Sequence, residues 1–174
     1  MQQTHEVLLD TDLAAEWQDL TQKRAAMQLV ARRGTDETMR ADAEKNAATL
    51  GEDIDVIEEM IAEATRVLVV ERMHPKTWGR LVAEHPPRPD VPADARVGLN
   101  TDTFDGPMMG AAITSVTDGT GTPVDDWDWD AMAEAMSPGA YAQIINSTLA
   151  MHLDRGAVPF SLAEWRTRRP SVQS

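Results

Sequence analysis

Two long apolar stripes organise the N-terminal third of the chain. Leu13, Trp17, Leu20, Met27 and Ala31 recur at steps of three and four, interrupted by Arg24, which is the period of one helix face. Asp10, Thr11 and Asp12 supply start signals, with acids at the positive end of the helix dipole, and Gly34 supplies a stop. Thr35 or Asp36 caps the next helix, whose stripe reads Met39, Ala43, Asn46, Leu50, Ile54, Ile57, Ile61 and Ala64. Most of its steps alternate three and four as in a coiled coil, with an extra four-residue step from Leu50 to Ile54 beside Gly51. The pattern predicts an antiparallel helical hairpin on the order of 35–45 Å long, packed through Leu13, Trp17, Leu20, Leu50, Ile54, Ile57 and Ile61.

Short apolar runs flank this hairpin. Glu6–Leu9 and the β-branched Val67–Val70 read as strands that pair into a two-stranded ribbon at its base. Such a ribbon is marginal alone, so it is expected to pack on the helices after it. A short helix starts at Pro75, aligns Trp78, Leu81 and Val82 on one face, and stops before Pro86 and Pro87. A Pro- and Asp-containing loop occupies 86–97. Later helices are read from Phe104 or Pro107 to Val116, from Asp125 or Asp126 through Met136, and from Ser137–Pro138 to about Arg155. The fold expected is mainly α: a projecting antiparallel hairpin closed by a two-stranded ribbon, on a small helical body. Residues 1–73 form the arm, 74–160 the body, and 161–174 a basic, flexible tail.

Charge narrows the partners. The 174 residues carry a formal charge of −13, which argues against nucleic acid, whose affinity comes from Lys and Arg, and against an anionic membrane surface. Ten acids lie between Thr35 and Thr65 against Arg40 and Lys45, while Arg155, Arg166, Arg168 and Arg169 make the end basic. There is no cysteine, hence no disulfide framework and no thiolate chemistry. No signal peptide or membrane-spanning run is read from the sequence, so a cytoplasmic location is expected.

Candidate chemistry is sparse. His5, His74, His85 and His152 lack the close spacing of a metal set. Asp126, Asp128 and Asp130 alternate like a calcium loop, but Ala131 and Ser137 stand where that loop needs glycine and glutamate. No nucleophile elbow surrounds a serine, and Gly119-Thr-Gly121 lacks the lysine of a phosphate loop. The residues point to no catalytic site, metal or cofactor. Methionines 108, 109, 132, 136 and 151 suit either a core or an adaptable protein-binding surface.

The order of features is more specific than any one of them. An apolar strand, a charged helical hairpin and a second strand precede Pro75-Lys-Thr-Trp78-Gly-Arg-Leu81, then Glu84-His85-Pro86-Pro87-Arg88 and Gly98-Leu-Asn100-Thr-Asp-Thr103-Phe104. A helix with Trp129 then leads to Ser137-Pro-Gly-Ala-Tyr141, Asn146–Leu149 and Val158-Pro-Phe160-Ser161. From Val7 to Ser161 this resembles the tail assembly chaperones of long-tailed (siphovirus-type) phages and prophages of actinobacteria. The resemblance implies a non-enzymatic protein of the host cytoplasm that binds and solubilises the tape measure protein while tail tube subunits assemble, and that is absent from the mature virion. It implies no catalytic residue. Contacts with the tail tube protein and self-association through the hairpin are further expectations. The candidate partner surface comprises Trp78, Leu81, His85, Arg88, Phe104, Met108 and Met109. Two other readings stand beside it: a permanent tail completion or connector subunit, and an acidic DNA mimic.

Overall fold

The computed structural model describes residues 1–153, so the expectations for Arg155 and for the tail, including Val158, Phe160 and Trp165, lie outside the described residues. The chain is mainly helical with one small sheet. Strand β1 (Gln2–Leu8) leads into helices α1 (Thr11–Arg33) and α2 (Glu37–Ala64), and β2 (Thr65–Glu71) comes next. Then come α3 (Pro75–Glu84), α4 (Pro92–Val97), α5 (Thr101–Ala112), β3 (Ile113–Asp118), α6 (Trp129–Ala135) and α7 (Pro138–Leu153).

Local chemistry sets the helix starts. The Asp10 carboxylate accepts the N–H groups of Asp12 and Leu13, and Asp36 accepts that of Met39. Ser137 Oγ accepts the Ala140 N–H at the head of α7. Each cap satisfies donors that the first helical turn leaves free.

Helices α1 and α2 pack along each other in opposite directions: Trp17 Nε1 donates to Glu58 Oε1 at 2.9 Å, Arg24 lies against Gly51, and Gly34 lies beside Arg40. Their seam corrects the stripe read from sequence. Ala47 is buried and Asn46 and Met39 are exposed, so α2 faces α1 with Ala43, Ala47, Leu50, Ile54, Ile57 and Ile61. That set alternates four and three throughout; the extra step at Leu50 came from counting the larger Asn46 in place of the small Ala47. Helix α2 runs through Gly51 without interruption.

The expected two-stranded ribbon is a three-stranded antiparallel sheet in the order β1-β2-β3. Its third strand is Ile113–Asp118, where the sequence reading carried a helix on to Val116. Ile113, Thr114, Val116 and Thr117 are β-branched, and pairing of Leu68 with Val116 and Val69 with Ser115 offers them a ladder that a helix would forgo. His5, Leu68 and Val116 stand abreast on the sheet face that turns inward. Leu68, Val70, Val7 and Val116 on that face are buried under Phe104, Met108, Met109, Ile144 and Met151. The base of the predicted arm thus contributes to the same core as the body. The buried seam residues Leu13, Ala43, Ala47, Ile54 and Ile57 are not part of that cluster.

Further corrections are local. The loop expected at 86–97 contains α4, which Pro92 opens and Gly98 closes at φ 80°, a left-handed cap that glycine adopts without strain. Helix α5 starts at Thr101 under an Asn100 cap rather than at Phe104 or Pro107. Helix α6 starts at Trp129 because Asp128, not Asp125 or Asp126, caps it. Gly119 N donates to Ala62 O at 2.8 Å, and a Cβ there would meet that oxygen at 2.8 Å. This approach seats the loop after β3 on the end of α2.

Candidate functional site

The segment from Met73 to Phe104 wraps one end of the core. Helix α3 inserts Leu81 into it and lays Trp78 half-buried over it. The Trp78 ring stacks on His152 of α7, with centroids 4.5 Å apart and planes at 13°, and meets Phe104 edge-on at 5.3 Å. His85 closes α3, meets Phe104 edge-on at 5.8 Å, and its Nδ1 lies 2.9 Å from Thr103 Oγ1. Phe104, Met108 and Met109 are fully buried, so these three belong to the interior of the fold. Trp78, His85 and Arg88 are half-buried and keep an outer edge. The predicted set is therefore brought together in space, but as a core with a rim.

Arg88 is committed to a lock. Its Nε donates to Asp94 Oδ2 at 2.7 Å and a terminal nitrogen donates to Asp94 Oδ1 at 3.1 Å, the two-pronged geometry that suits guanidinium and carboxylate. The backbone N–H of Arg88 donates to the same carboxylate, and the other arm of the guanidinium pairs with Asp102. Thr101 adds its N–H and hydroxyl at 3.1 and 2.7 Å. Asp94 is fully buried with five donors around it. The Arg88 hydrogen bond above all holds its carboxyl well below the usual carboxylate range, and the two aspartates raise the Arg88 pKa. Nothing in the local sequence marks Asp94, which reads as an ordinary acid of the loop expected at 86–97.

Beyond Asp102 an open cleft of about 670 Å³ runs between α5, α6 and α7. Asp102, Asp105, Asp130 and Glu134 line it with Trp129 and Tyr141. The Tyr141 hydroxyl donates to Asp105 Oδ2 at 2.7 Å. Burial first, then Asp105, pushes the Tyr141 pKa up to about 12, and burial raises that of Asp105. Asp102 is paired with Arg88 and Asp105 with Tyr141, so Asp130 and Glu134 are the lining carboxylates that can receive lysine or arginine side chains carried on an apolar segment. Sequence reading missed this cleft, because its residues come from three helices and only Asp126, Asp128 and Asp130 drew attention as a run.

Histidines also fasten α7. His152 Nε2 accepts the Met73 N–H at 2.9 Å, which places the ring proton on Nδ1, 2.8 Å from Thr148 O. His5 Nε2 lies 3.1 Å from Ser147 Oγ, which donates to Ile144 O. Burial lowers the pKa of both histidines. Among the described residues no three His, Asp or Glu side chains gather as a metal site, and no helix is long and apolar enough to cross a membrane. No protein-family model matches the chain, and neither a curated protein nor a solved structure matches it.

Proposed function

We propose that this protein is a non-enzymatic tail assembly chaperone that binds the tape measure protein and keeps it soluble while the tail tube assembles. The observation that carries the reading is the order of sequence features from Val7 to Ser161, which resembles that family. Two structural features support it. The cleft beside the Arg88–Asp102 pair offers carboxylates and aromatic rings to a basic, apolar helical segment. The α1–α2 pair, whose buried seam stands apart from the main core cluster, fits a hairpin that projects from the body. A charge of −13 keeps a complex with a long apolar chain dispersed.

In this reading the protein works in the host cytoplasm and leaves before the virion is complete. Mass spectrometry of infected-cell lysate and of purified particles tests that. The protein is expected in the lysate with the tape measure protein and not in the particles. Stoichiometric presence in particles makes it a structural tail subunit instead.

A further inference from the structure

The cleft beside Tyr141 does not end at α6. A second hollow shares Gly106, Trp129 and Asp130 with it and continues along α5 past Pro107 and Gly110 to Trp127. Gly110 has open space where a Cβ would stand, and Trp127 is half-buried, so the groove is low-walled and apolar. Among the described residues none that lines it is basic. Asp102 and Asp105 are paired with Arg88 and Tyr141, and Asp128 caps α6. Asp130 and Glu134 have no ion pair among the described residues. Both are exposed and stand four positions apart on α6, where like charges share a face and repel. A cation between them removes that repulsion.

The chain beyond α7 carries the matching chemistry. Residues 154–169 hold four arginines against Asp154 and Glu164, and Trp165-Arg-Thr-Arg-Arg169 puts three of those arginines beside a tryptophan. A guanidinium pairs with a carboxylate through two donors and lies flat on an aromatic ring, so rings edged with acids suit it better than acids alone. The hollow lined by Asp55, Glu58, Glu59 and Glu63 on α2 matches the charge, but no aromatic ring lines it. Reach is sufficient. Tyr141 and Leu153 lie twelve positions apart on α7, about 18 Å along the helix axis. Another twelve positions separate Leu153 from Trp165, enough chain to extend about 40 Å.

We infer that residues 165–169 of this chain dock in the cleft between α5, α6 and α7, with arginines on Asp130 and Glu134. The tethered segment holds the cleft against other basic segments until one of higher affinity displaces it. Displacement by the tape measure protein rests on the proposed function; the contact itself does not.

A fluorescent peptide of residues 163–170 tests it by anisotropy. The peptide is titrated against the full chain and against the full chain carrying Arg166→Glu/Arg168→Glu/Arg169→Glu. A tethered segment has an effective concentration in the millimolar range, so the unaltered chain is expected to bind the peptide about tenfold more weakly than the variant. Adding Asp130→Lys/Glu134→Lys to that variant is expected to abolish binding. Equal binding by the unaltered chain and the arginine variant overturns the inference, as does no binding by either. Binding that survives the two α6 changes overturns it as well. The chain has no cysteine, so Glu134→Cys with Arg168→Cys is expected to close a disulfide within one chain under mild oxidation. Disulfide-linked dimers in place of that closed monomer overturn docking within the chain. No tape measure protein takes part, so these failures leave the proposed function to its own test.

Discussion

His152 Nε2 accepts the backbone N–H of Met73, 79 positions earlier in the chain, and so ties α7 to the segment that leaves the sheet. The bond needs a neutral ring, because a protonated imidazole has no acceptor. Burial lowers the His152 pKa from its usual 6.5, against a smaller opposite push from the Thr148 carbonyl, and Arg72 lowers it further. His5, on the other flank of α7, is lowered by burial as well.

For both histidines the unfolded chain takes up protons first on acidification. Their contribution is complete above pH 6.5 and is lost as pH falls through that value toward the lower folded pKa. Thermal melts across pH 8 to pH 5 are expected to show the midpoint falling below about pH 6.5. In His5→Gln/His152→Gln that slope flattens, at a lower midpoint throughout. Asp94 and Asp118, whose pKa values are depressed, add their losses only in the acid range below the usual carboxylate pKa.

Arg88 anchors a loop and is expected to behave as a stability residue. Arg88→Ala leaves Asp94 buried without its main partner and lowers the melting midpoint. Arg88→Lys recovers part of it, since an ammonium cannot make the two-pronged contact. Asp94→Asn added to Arg88→Ala is expected to cost little more, because the single change has already broken the pair. A double-mutant cycle by chemical denaturation reads the coupling directly.

The seam between α1 and α2 contains an avoidable cost. Arg24 occupies a seam position, and its Nε and the nearby Thr21 Oγ1 are buried without partners. Arg24→Leu is expected to stabilise the protein by about 1–3 kcal/mol by removing the unpaired donor. Gly51→Ala alone would place its Cβ 3.2 Å from the Arg24 guanidinium. It therefore gains less than the roughly 1 kcal/mol of an unhindered helical Gly→Ala, and the full gain is expected only alongside Arg24→Leu. Urea melts of the two singles and the double check both statements.

Tyr141 is the single tyrosine of the chain, so phenolate absorbance reports it alone. With its pKa pushed from 10 to about 12, folded protein is expected to show little phenolate at pH 10.5. The neutral phenol stabilises the fold fully below pH 10, and that share is lost as pH rises toward 12. Asp105→Asn is expected to lower the titration only in part, because burial, the larger cause, remains. Titration of the unaltered protein at 10 while still folded would contradict the hydrogen bond.

Features with a local cause were legible. Asp10, Asp36 and Ser137 cap helices through donors two or three residues away, and Pro75 opens α3 by its own geometry. Where distant residues decide, local reading failed. Ile113–Thr117 comes directly after the helix-forming Ala111 and Ala112, and only the free edge of Val67–Val69 draws it into a strand. Asn46 outranked Ala47 as a stripe member on size, although a close helix pair prefers the smaller side chain. Asp94 is fully buried because Arg88 and Thr101 fold in from either side. Phe104, Met108 and Met109 lie in the core with Trp78 packed against it, and apolar character alone does not separate a core from a binding surface.

The central claim is tested most directly by co-expression with the tape measure protein from the same phage or prophage, then a solubility assay and affinity capture. The account predicts that the tape measure protein becomes soluble and co-purifies. Asp130→Lys/Glu134→Lys in the open cleft is expected to lower recovery without lowering the melting midpoint, whereas Phe104→Ala lowers both because it opens the core. A tape measure protein that stays insoluble, with this protein recovered free and well folded, would contradict the account.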